Sequence, residues 1–178
     1  MSIYFLRHGK SQANLDKVFA GQKNDSPITD IGINQVKIAS NELSGIRIDR
    51  IYASRLKRAR QTADIVAEAI GFDKNKIEYD DRIQEYDMGS FTNTPICMIN
   101  ADELVPVNGV EDPVAFRDRV FSFIKDHQSS NENILMVSHD GVSRIIEATK
   151  LGLKPNQFFS LPSQPNAQVV KLDLSWLE

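Results

Sequence analysis

The sequence predicts an α/β fold class, a three-layer α/β/α sandwich with a mainly parallel sheet. Short apolar stretches alternate with stretches of helical periodicity along the chain, which is the order of an α/β domain. Residues 2–6 and 134–137 form apolar runs, as expected for strands covered on both faces of a parallel sheet. Right-handed crossovers between such strands then place helices on both faces of the sheet.

The first half of the chain predicts two strands and two helices. Residues 2–6 form the first strand. After a polar loop, Thr29 is placed to cap a helix whose apolar residues recur three and four positions apart, and Gly45 suits the end of that helix. Residues 50–53 form a second short strand, and Ser54 is placed to cap the helix that follows.

The second half of the chain predicts further strands and helices around one irregular segment. Residues 88–110 carry glycines and prolines, and we interpret them as a short insertion in a single domain spanning residues 1–178. Pro113 is tolerated in the first turn of the helix that comes next. In chain order the other elements are a weak strand at 77–79, a strong strand at 134–137 within the segment 133–138, a helix at 141–151 and a last strand at 168–174.

Composition and charge exclude several classes of partner. With 178 residues, 41% of them hydrophobic and 25% charged, the chain has the size and composition of one globular domain. Its net charge of −3 predicts no general attraction to nucleic acid or to an anionic membrane. The opening apolar run is too short for a signal peptide, and the single cysteine, Cys97, cannot form an intrachain disulfide. We therefore expect a cytoplasmic protein.

Histidines and basic residues follow the predicted strands where those strands end. The first strand ends in Arg7 and His8, and the fourth ends before His139. The helix after the second strand begins with a basic cluster, Arg55, Lys57, Arg58 and Arg60. Because cations are unfavourable at a helix N-terminus, this cluster is better explained by a bound anion, most simply phosphate, at the edge where α/β sheets bind ligands. The third histidine, His127, lies in a polar stretch and is predicted to be a solvated surface residue.

Four short motifs, in this order, resemble those of a known family: RHG followed by Ser11 and Asn14, then SRLKRARQTA, then QEYDMG, then VSHDG. Over residues 5–151 the chain resembles the histidine phosphatase superfamily, also called the phosphoglycerate mutase-like family. The segment NGVEDPVAFRDRV is similar to the start of a helix in that family. The resemblance implies a phosphoglycerate mutase-like fold, a small phosphorylated substrate, and no metal or other cofactor.

The resemblance implies a nucleophile and a general acid. His8 matches the family's nucleophile, which becomes a phosphohistidine. Neutral imidazole is a nucleophile near neutral pH, so the attack needs no metal hydroxide. Glu85 matches the acid that protonates the leaving oxygen, and apolar surroundings or Asp87 would raise its pKa for that role. The same carboxylate could then take a proton from the water that hydrolyses the phosphohistidine.

The resemblance also implies two groups of binding residues. Those that match the phosphate-binding groups of the family are Arg7, Arg58, His139 and Asn14. Of these, His139 would act in its protonated form. Gln22 matches a loop that lines the substrate pocket. Lys10 stands where many relatives carry an acidic residue, so it either attracts a second negative group of the substrate or points to solvent.

Two other functions stay open beside phosphomonoester hydrolysis through phospho-His8. A phosphoglycerate mutase-type phosphotransferase would need a long-lived phosphoenzyme, and the short segment after Gly89 favours hydrolysis over it. A non-catalytic phospholigand-binding protein on the same fold need not keep both His8 and Glu85. A metallophosphoesterase is disfavoured, because no cluster of His, Asp and Glu has the spacing of metal ligands. A homodimer through the last strand or the insertion also stays open.

Overall fold

A five-stranded sheet lies at the centre of residues 2–99 and 109–177, the part of the chain that the computed structural model describes. The strands are β1 (Ser2–Arg7), β2 (Arg50–Ala53), β3 (Glu78–Tyr79), β4 (Asn133–Ser138) and β5 (Val169–Lys171). Their order across the sheet is β3-β2-β4-β1-β5. Strand β5 runs antiparallel to β1, whereas the other neighbours are parallel. The predicted mainly parallel sheet is therefore confirmed.

Helices cover both faces of this sheet. They are α1 (Gln12–Leu15), α2 (Asp30–Ser40), α3 (Lys57–Ile70), α4 (Pro113–His127) and α5 (Asp140–Lys150). On one face Leu6 of β1 joins an apolar cluster with Val36 of α2, and α3 adds further residues to it. On the other face Phe5 joins a cluster with Phe116 of α4 and Ile145 of α5. Because successive strand residues point to opposite faces, this arrangement confirms the three-layer sandwich. In the described part of the chain, every helix is too short or too polar to cross a membrane.

One predicted helix cap is confirmed and one is wrong. Thr29 caps α2 through its hydroxyl oxygen. Ser54 does not cap α3, because that helix begins at Lys57 and its N-terminus is bound by another segment: Oδ1 of Asp25 accepts the Lys57 N–H at 2.5 Å. The Ser54 hydroxyl lies instead 2.7 Å from Nε2 of His139.

The strand ends lie close to the sequence predictions except at β5. Strand β2 begins and ends at the predicted residues, β1 continues one residue beyond the predicted 2–6, and β4 continues one residue beyond each end of the predicted 134–137. Strand β5 covers three residues of the predicted 168–174, because it pairs with β1 only from Tyr4 to Leu6. The weak third strand is also present, although it is short.

Part of the predicted insertion packs against the loop that follows α1. Residues 100–108 of the predicted segment 88–110 lie outside the described residues. In the described part, the Phe19 N–H donates to the Thr94 carbonyl at 3.0 Å, and the Ile96 N–H donates to the Lys17 carbonyl at 3.0 Å. These bonds join the first half of the insertion to the loop between α1 and α2. The single-domain organisation stays a prediction.

The parallel register of β1 and β4 brings two histidines together. Arg7 pairs with Ser138, so the residues that follow them, His8 and His139, leave the sheet side by side. The His8 N–H donates to the Ser138 carbonyl at 3.0 Å, and the two imidazole rings lie 5.2 Å apart between centroids. Both histidines therefore lie at the carboxyl edge of the sheet, where α/β folds bind ligands.

Candidate active site

A cavity of about 360 Å³ opens at this edge of the sheet. Five of the predicted site residues line it: Arg7, His8, Asn14, Arg58 and Glu85. The other three predicted residues, His139, Gln22 and Lys10, lie close in sequence to cavity residues but are not part of its described lining. A volume of this size is at the small end of ligand pockets. The structure thus gathers most of the predicted site around one small cavity.

His8 is held as a neutral imidazole. Its ring is buried, and Nδ1 lies 2.8 Å from the Gly9 carbonyl, which can only accept, so Nδ1 carries the proton. Burial, followed by the positive charges of Arg58 and Arg7, lowers the pKa of His8 well below its ordinary value. Nε2 is therefore the ring nitrogen that keeps a lone pair.

Gly9 allows this turn to lie directly against α2. A Cβ atom at Gly9 would lie 2.6 Å from the Gly32 carbonyl oxygen and 2.7 Å from Cγ2 of Val36. The Gly9 N–H also donates to Oγ1 of Thr62 in α3 at 3.1 Å. Only a residue without a side chain allows this close approach, which fixes the position of His8 relative to both helices.

Arg7 is held in the cavity wall by the segment that precedes β5. Its Nη1 donates to Oγ of Ser163 at 2.9 Å and to the Gln164 carbonyl, and it lies 3.2 Å from Oδ1 of Asp140. Burial lowers the pKa of Arg7, and the charge of Asp140 opposes this change. Nε of Arg7 is buried without a hydrogen-bond partner among the described residues. A buried donor of this kind suits an anionic ligand.

Arg58 connects α3 to the loop between α1 and α2. Its side chain is almost fully buried, with Nη2 donating to the Gly21 carbonyl at 2.8 Å and Nη1 donating to the Asn24 carbonyl at 3.1 Å. Burial lowers the pKa of Arg58, and the nearby Glu85 opposes this change. Because carbonyl oxygens do not neutralise a guanidinium group, its charge remains available to an anion in the cavity.

Asn14 offers its amide nitrogen to the cavity. Its Oδ1 accepts the Ser11 N–H at 3.2 Å and an N–H of Asn166 at 3.1 Å. The first of these bonds belongs to a capping box that starts α1. With the oxygen bound on the protein side, the Nδ2 group is the part of Asn14 that can donate to a ligand.

His139 lies beside His8 as a second buried imidazole. Its Nε2 is 2.7 Å from the Ser54 hydroxyl, and its buried Nδ1 has no hydrogen-bond partner among residues 2–99 and 109–177. Burial, followed by the charge of Arg58, lowers the pKa of His139 well below its ordinary value. The protein groups around His139 therefore favour its neutral form, while its predicted protonated role toward the phosphoryl oxygens stays a prediction.

Glu85 is a buried carboxyl group whose charge is disfavoured. Burial raises the pKa of Glu85, and the nearby Asp140 raises it further. The predicted contribution of Asp87 is wrong, because Asp140 of the VSHDG motif supplies that charge instead. Oε1 accepts the N–H groups of Tyr86 at 2.9 Å and Gly141 at 3.1 Å, which fixes the carboxyl group at the N-terminus of α5.

Side chains from two distant segments hold the backbone of Glu85. Nη2 of Arg119 donates to the Glu85 carbonyl at 2.9 Å, and Nη1 donates to the Gln84 carbonyl at 2.8 Å. Arg119 in turn pairs with Glu111 at 2.7 Å. Gln22 donates to the same Glu85 carbonyl at 2.8 Å, while its predicted role toward a substrate stays a prediction. Sequence reasoning did not single out Arg119 or Glu111, although both lie in the segment NGVEDPVAFRDRV that resembles the family.

Lys10 is anchored by its backbone between the His8 turn and α2. Its N–H donates to Oε1 of Gln35 at 3.0 Å, and its carbonyl accepts the Thr29 N–H at 2.8 Å. The two alternatives for its ammonium group, a second negative group of the substrate or solvent, both stay predictions.

Two other members of the basic cluster, Arg55 and Arg60, are explained without an anion. Arg55 is exposed and pairs with Asp81 at 2.8 Å. The guanidinium of Arg60 lies 5.4 Å from the centre of the Tyr79 ring. Among the described residues, the cluster therefore contributes Arg58 to the cavity, and its interpretation as one phosphate site is wrong for Arg55 and Arg60.

His127 is packed against aromatic rings, so the expectation of a solvated surface residue is wrong. The residue is half-buried, and its ring stacks on Phe123 with centroids 4.4 Å apart. Tyr52 meets the same ring edge to face at 4.5 Å. Nδ1 of His127 donates to the Phe123 carbonyl at 2.8 Å. His127 is the last residue of α4 and is not part of the described cavity lining.

Asp25 and Asp30, two acidic residues of the first half of the chain that a metal site could use, have structural roles. Asp25 binds the N-terminus of α3, and Asp30 is the first residue of α2. Within residues 2–99 and 109–177, His, Cys, Asp and Glu side chains form no group of three or more that is placed to hold a metal ion.

The chain belongs to the histidine phosphatase superfamily (branch 1), whose model matches residues 3–175. The family that the four motifs indicate is thereby confirmed, and the match extends beyond them to nearly the whole chain. The family and the names of its relatives support a phosphatase as the class of enzyme.

The related sequences carry names from both activities of the family. A Hydrogenobacter thermophilus protein with the provisional name phosphoserine phosphatase 2 is 29% identical over 164 residues, covering 85% of this chain and 79% of that protein. A Yersinia pestis protein with the provisional name phosphoglycerate mutase GpmB is 35% identical over 103 residues. That match covers 58% of this chain and 46% of the Yersinia protein, so it spans about half of the latter.

Solved structures of phosphatases share this fold. The alpha-ribazole phosphatase from Shigella flexneri is 25% identical, with a TM-score of 0.77, over 97% of this chain and 90% of that one. A mycobacterial glucosyl-3-phosphoglycerate phosphatase is 23% identical, with a TM-score of 0.81, over 96% of this chain and 92% of that one. The predicted phosphoglycerate mutase-like fold is confirmed by these similarities.

Proposed function

We propose that this chain is a phosphomonoester hydrolase that works through a phosphohistidine on His8. The observation that carries the proposal is the His8 ring, whose Nδ1–H donates to the Gly9 carbonyl at 2.8 Å in a cavity shared with Arg7 and Arg58. Nε2 then holds the lone pair that attacks phosphorus. Phosphoryl transfer depends mainly on positioning and on charge stabilisation, which two guanidinium groups supply.

In the first step, Nε2 of His8 forms a bond to phosphorus while the bond from phosphorus to the ester oxygen breaks. Glu85 gives its proton to that oxygen, so the product leaves as an alcohol. The burial that raises the pKa of Glu85 favours the protonated form that this step needs. An alkoxide is a poor leaving group, and a positioned general acid contributes roughly 10²–10⁴-fold.

In the second step, a water molecule attacks the phosphorus of phospho-His8. The Glu85 carboxylate takes the proton of that water, the nitrogen–phosphorus bond breaks, and its electron pair returns to Nε2. Inorganic phosphate leaves, and both side chains regain their starting protonation states.

We assign the phosphoryl oxygens to Arg7, Arg58, Asn14 and His139. The two arginines supply positive charge directly, so the proposal needs neither a metal nor another cofactor. His139 donates without being protonated if the Ser54 hydroxyl donates to Nε2, because the proton of the neutral ring is then on Nδ1. The buried Nδ1 without a partner among the described residues supports this assignment.

The test compares His8→Ala with His127→Ala, which removes the histidine that lies away from the cavity. We expect His8→Ala to lose hydrolysis of p-nitrophenyl phosphate and His127→Ala to keep it, with both folded by circular dichroism. The parent enzyme, quenched during turnover, should carry an acid-labile phosphoryl group that His8→Ala lacks. Retained hydrolysis in His8→Ala would contradict the proposal. Loss of parent activity in EDTA would contradict its metal independence.

A phosphoglycerate mutase-type phosphotransferase is the second candidate, favoured by the Yersinia relative over about half of that protein's length. Incubation with 3-phosphoglycerate separates the two activities. A hydrolase releases inorganic phosphate, whereas a mutase yields the 2-phospho isomer with no net release. Tight binding of phosphate esters without either product would instead favour a non-catalytic binding protein.

We also propose a cellular location and an assembly for the enzyme. We place the enzyme in the cytoplasm, since its one cysteine leaves no intrachain disulfide for an oxidising compartment. Strand β5 is at the edge of the described sheet with Val170 and Lys171 exposed, and a homodimer through this edge stays a prediction.

A further inference from the structure

We infer, resting on the proposed function, that the substrate is the phosphate ester of an uncharged, apolar alcohol. The cavity lining combines the proposed phosphate-binding side chains with a set of apolar side chains. The leaving group would therefore be an alkyl or aryl chain, without a carboxylate or a second phosphate.

One wall of the cavity is made of apolar side chains. We call Phe19, Met88, Ile96, Ile99 and Phe159 the apolar wall. Ile96 is 47% exposed although it faces a cavity, and Phe19 and Phe159 are half-buried. Covering such a surface with an apolar group removes it from water, which is favourable in proportion to the area covered. A polyhydroxylated leaving group would gain little from the same contact.

Backbone hydrogen bonds hold the apolar wall in place. Phe19 donates to the Thr94 carbonyl and accepts the Asn93 N–H at 2.8 Å, so the loop after α1 and the start of the insertion are joined on both sides of this residue. The rings of Phe19 and Phe159 meet edge to face with centroids 6.3 Å apart. A wall that is already formed costs little ordering entropy when a ligand covers it.

The charges that line the cavity match a single phosphate group. The described lining contains three guanidinium groups, those of Arg7, Arg58 and Arg144, and two carboxyl groups, those of Asp140 and Glu85. The guanidinium groups outnumber the carboxyl groups, and the excess of positive charge attracts a phosphate group.

Besides Arg7 and Arg58, the described cavity lining contains the cation Arg144, which is already paired within the protein. Nε of Arg144 lies 2.9 Å from Oδ2 of Asp140, and its Nη1 donates to the Phe159 carbonyl at 3.2 Å. A carboxylate on the leaving group would lose water here without gaining a partner of opposite charge, which is unfavourable. Phosphorylated hydroxy acids and phosphoamino acids are therefore expected to be poor substrates.

A series of n-alkyl phosphates tests this inference with constant chemistry. Ethyl, butyl and hexyl phosphate have leaving groups of nearly equal basicity, so their kcat/KM values differ through contact with the protein. A fully buried methylene is worth about fourfold, and we expect about twofold for each partly covered one, or about 16-fold from ethyl to hexyl phosphate. Butyl phosphate should exceed 4-phosphooxybutanoate, which carries a carboxylate at the end of a similar chain, by at least about tenfold.

Two variants locate the effect on the apolar wall. Ile96→Ser and Phe19→Ala should each reduce the hexyl-to-ethyl ratio of kcat/KM severalfold, because each removes apolar surface that the longer chain covers. Ile38→Ser is the matched control, since Ile38 is 68% exposed on α2, outside the cavity lining. This control should keep both the ratio and the activity of the parent.

The outcomes separate this inference from the proposed function. A flat alkyl series, a preference for the carboxylate substrate, or an unchanged ratio in both wall variants would overturn the apolar leaving group while leaving phosphatase activity intact. No release of phosphate from any ester, together with no phosphoryl group on His8, would overturn the proposed function itself.

Discussion

Replacing Gly141 with alanine tests the placement of Glu85 with a single methyl group. Gly141 lies in the first turn of α5, and a Cβ atom there would lie 2.2 Å from Oε1 of Glu85 and 3.3 Å from its Cδ. The carboxyl group is the movable partner in this clash, because it is the end of a side chain whereas Gly141 is held by the helix. The substitution should therefore displace Glu85 without unfolding the protein.

The size of the effect follows from the size of the displacement. Unstrained carbon–oxygen contacts are about 3.3 Å or longer, so Oε1 must move by about 1 Å. That shift weakens its bonds to the N–H groups of Tyr86 and Gly141, which are now 2.9 and 3.1 Å long. A misplacement of about 1 Å can cost about 10²-fold in rate, which is within the range of a general acid's contribution. We expect kcat for hexyl phosphate to fall about 10²-fold.

Two substrates show whether the loss concerns proton donation. p-Nitrophenolate leaves without protonation, so kcat for p-nitrophenyl phosphate should fall less than about tenfold in Gly141→Ala. Ser143→Ala is the control, two residues after Gly141 in α5, and should have the same kcat as the parent on both substrates. Alanine is a better helix former than glycine by about 1 kcal/mol, so the denaturation midpoint should not fall sharply.

The result that would refute this reasoning is full activity of Gly141→Ala on hexyl phosphate. Equal losses on hexyl and p-nitrophenyl phosphate would also contradict it, because they would indicate that His8 or the phosphate site had moved instead of the general acid.

Three further predictions follow from the charges around the cavity. Burial lowers the pKa of His8 and raises the pKa of Glu85. As the pH increases, kcat/KM should therefore rise when His8 loses its proton and fall when Glu85 loses its proton. The fall should be absent in Glu85→Gln, and a pH optimum on the alkaline side in the parent would contradict the assignment. Because the folded pKa of Glu85 lies above its unfolded value, its stability contribution is complete below about pH 4.3 and is lost as pH rises through the folded pKa. Urea titrations should therefore show Glu85→Gln more stable than the parent at neutral pH, with the difference vanishing in acid; a constant difference would be inconsistent with this linkage. Arg119→Met should lower the free energy of unfolding by about 3 kcal/mol, because it leaves Glu111 partly buried without its partner. Adding Glu111→Gln should recover part of this loss. If the losses of the two single variants simply add in the double variant, the ion pair does not stabilise the protein.

Local patterns predicted the elements whose stability depends on their own residues. Strands β2 and β4 contain apolar runs that are buried in the sheet, so burial of their own residues indicates where these strands lie. The sequence predictions were wrong where contacts with a distant segment determine how an element begins or how long it is. Asp25 binds the start of α3 in place of Ser54, and β5 is limited by how much of β1 it pairs with.

The sequence by itself determined which residues carry the proposed chemistry. Arg7, His8 and Arg58 lie at the end of a strand or the start of a helix, so their positions along the chain already place them at the carboxyl edge of a parallel sheet. Glu85 was indicated by the resemblance to the family alone.

The tertiary structure alone decided the protonation states and the shape of the cavity. Whether His139 is charged depends on its burial and on Arg58, and the support of Glu85 by Arg119 joins residues that are 34 positions apart. The apolar wall likewise combines residues from the loop after α1, the insertion and the segment after α5. Burial and Coulomb energies depend on distances in space, and neighbours along the chain do not specify those distances.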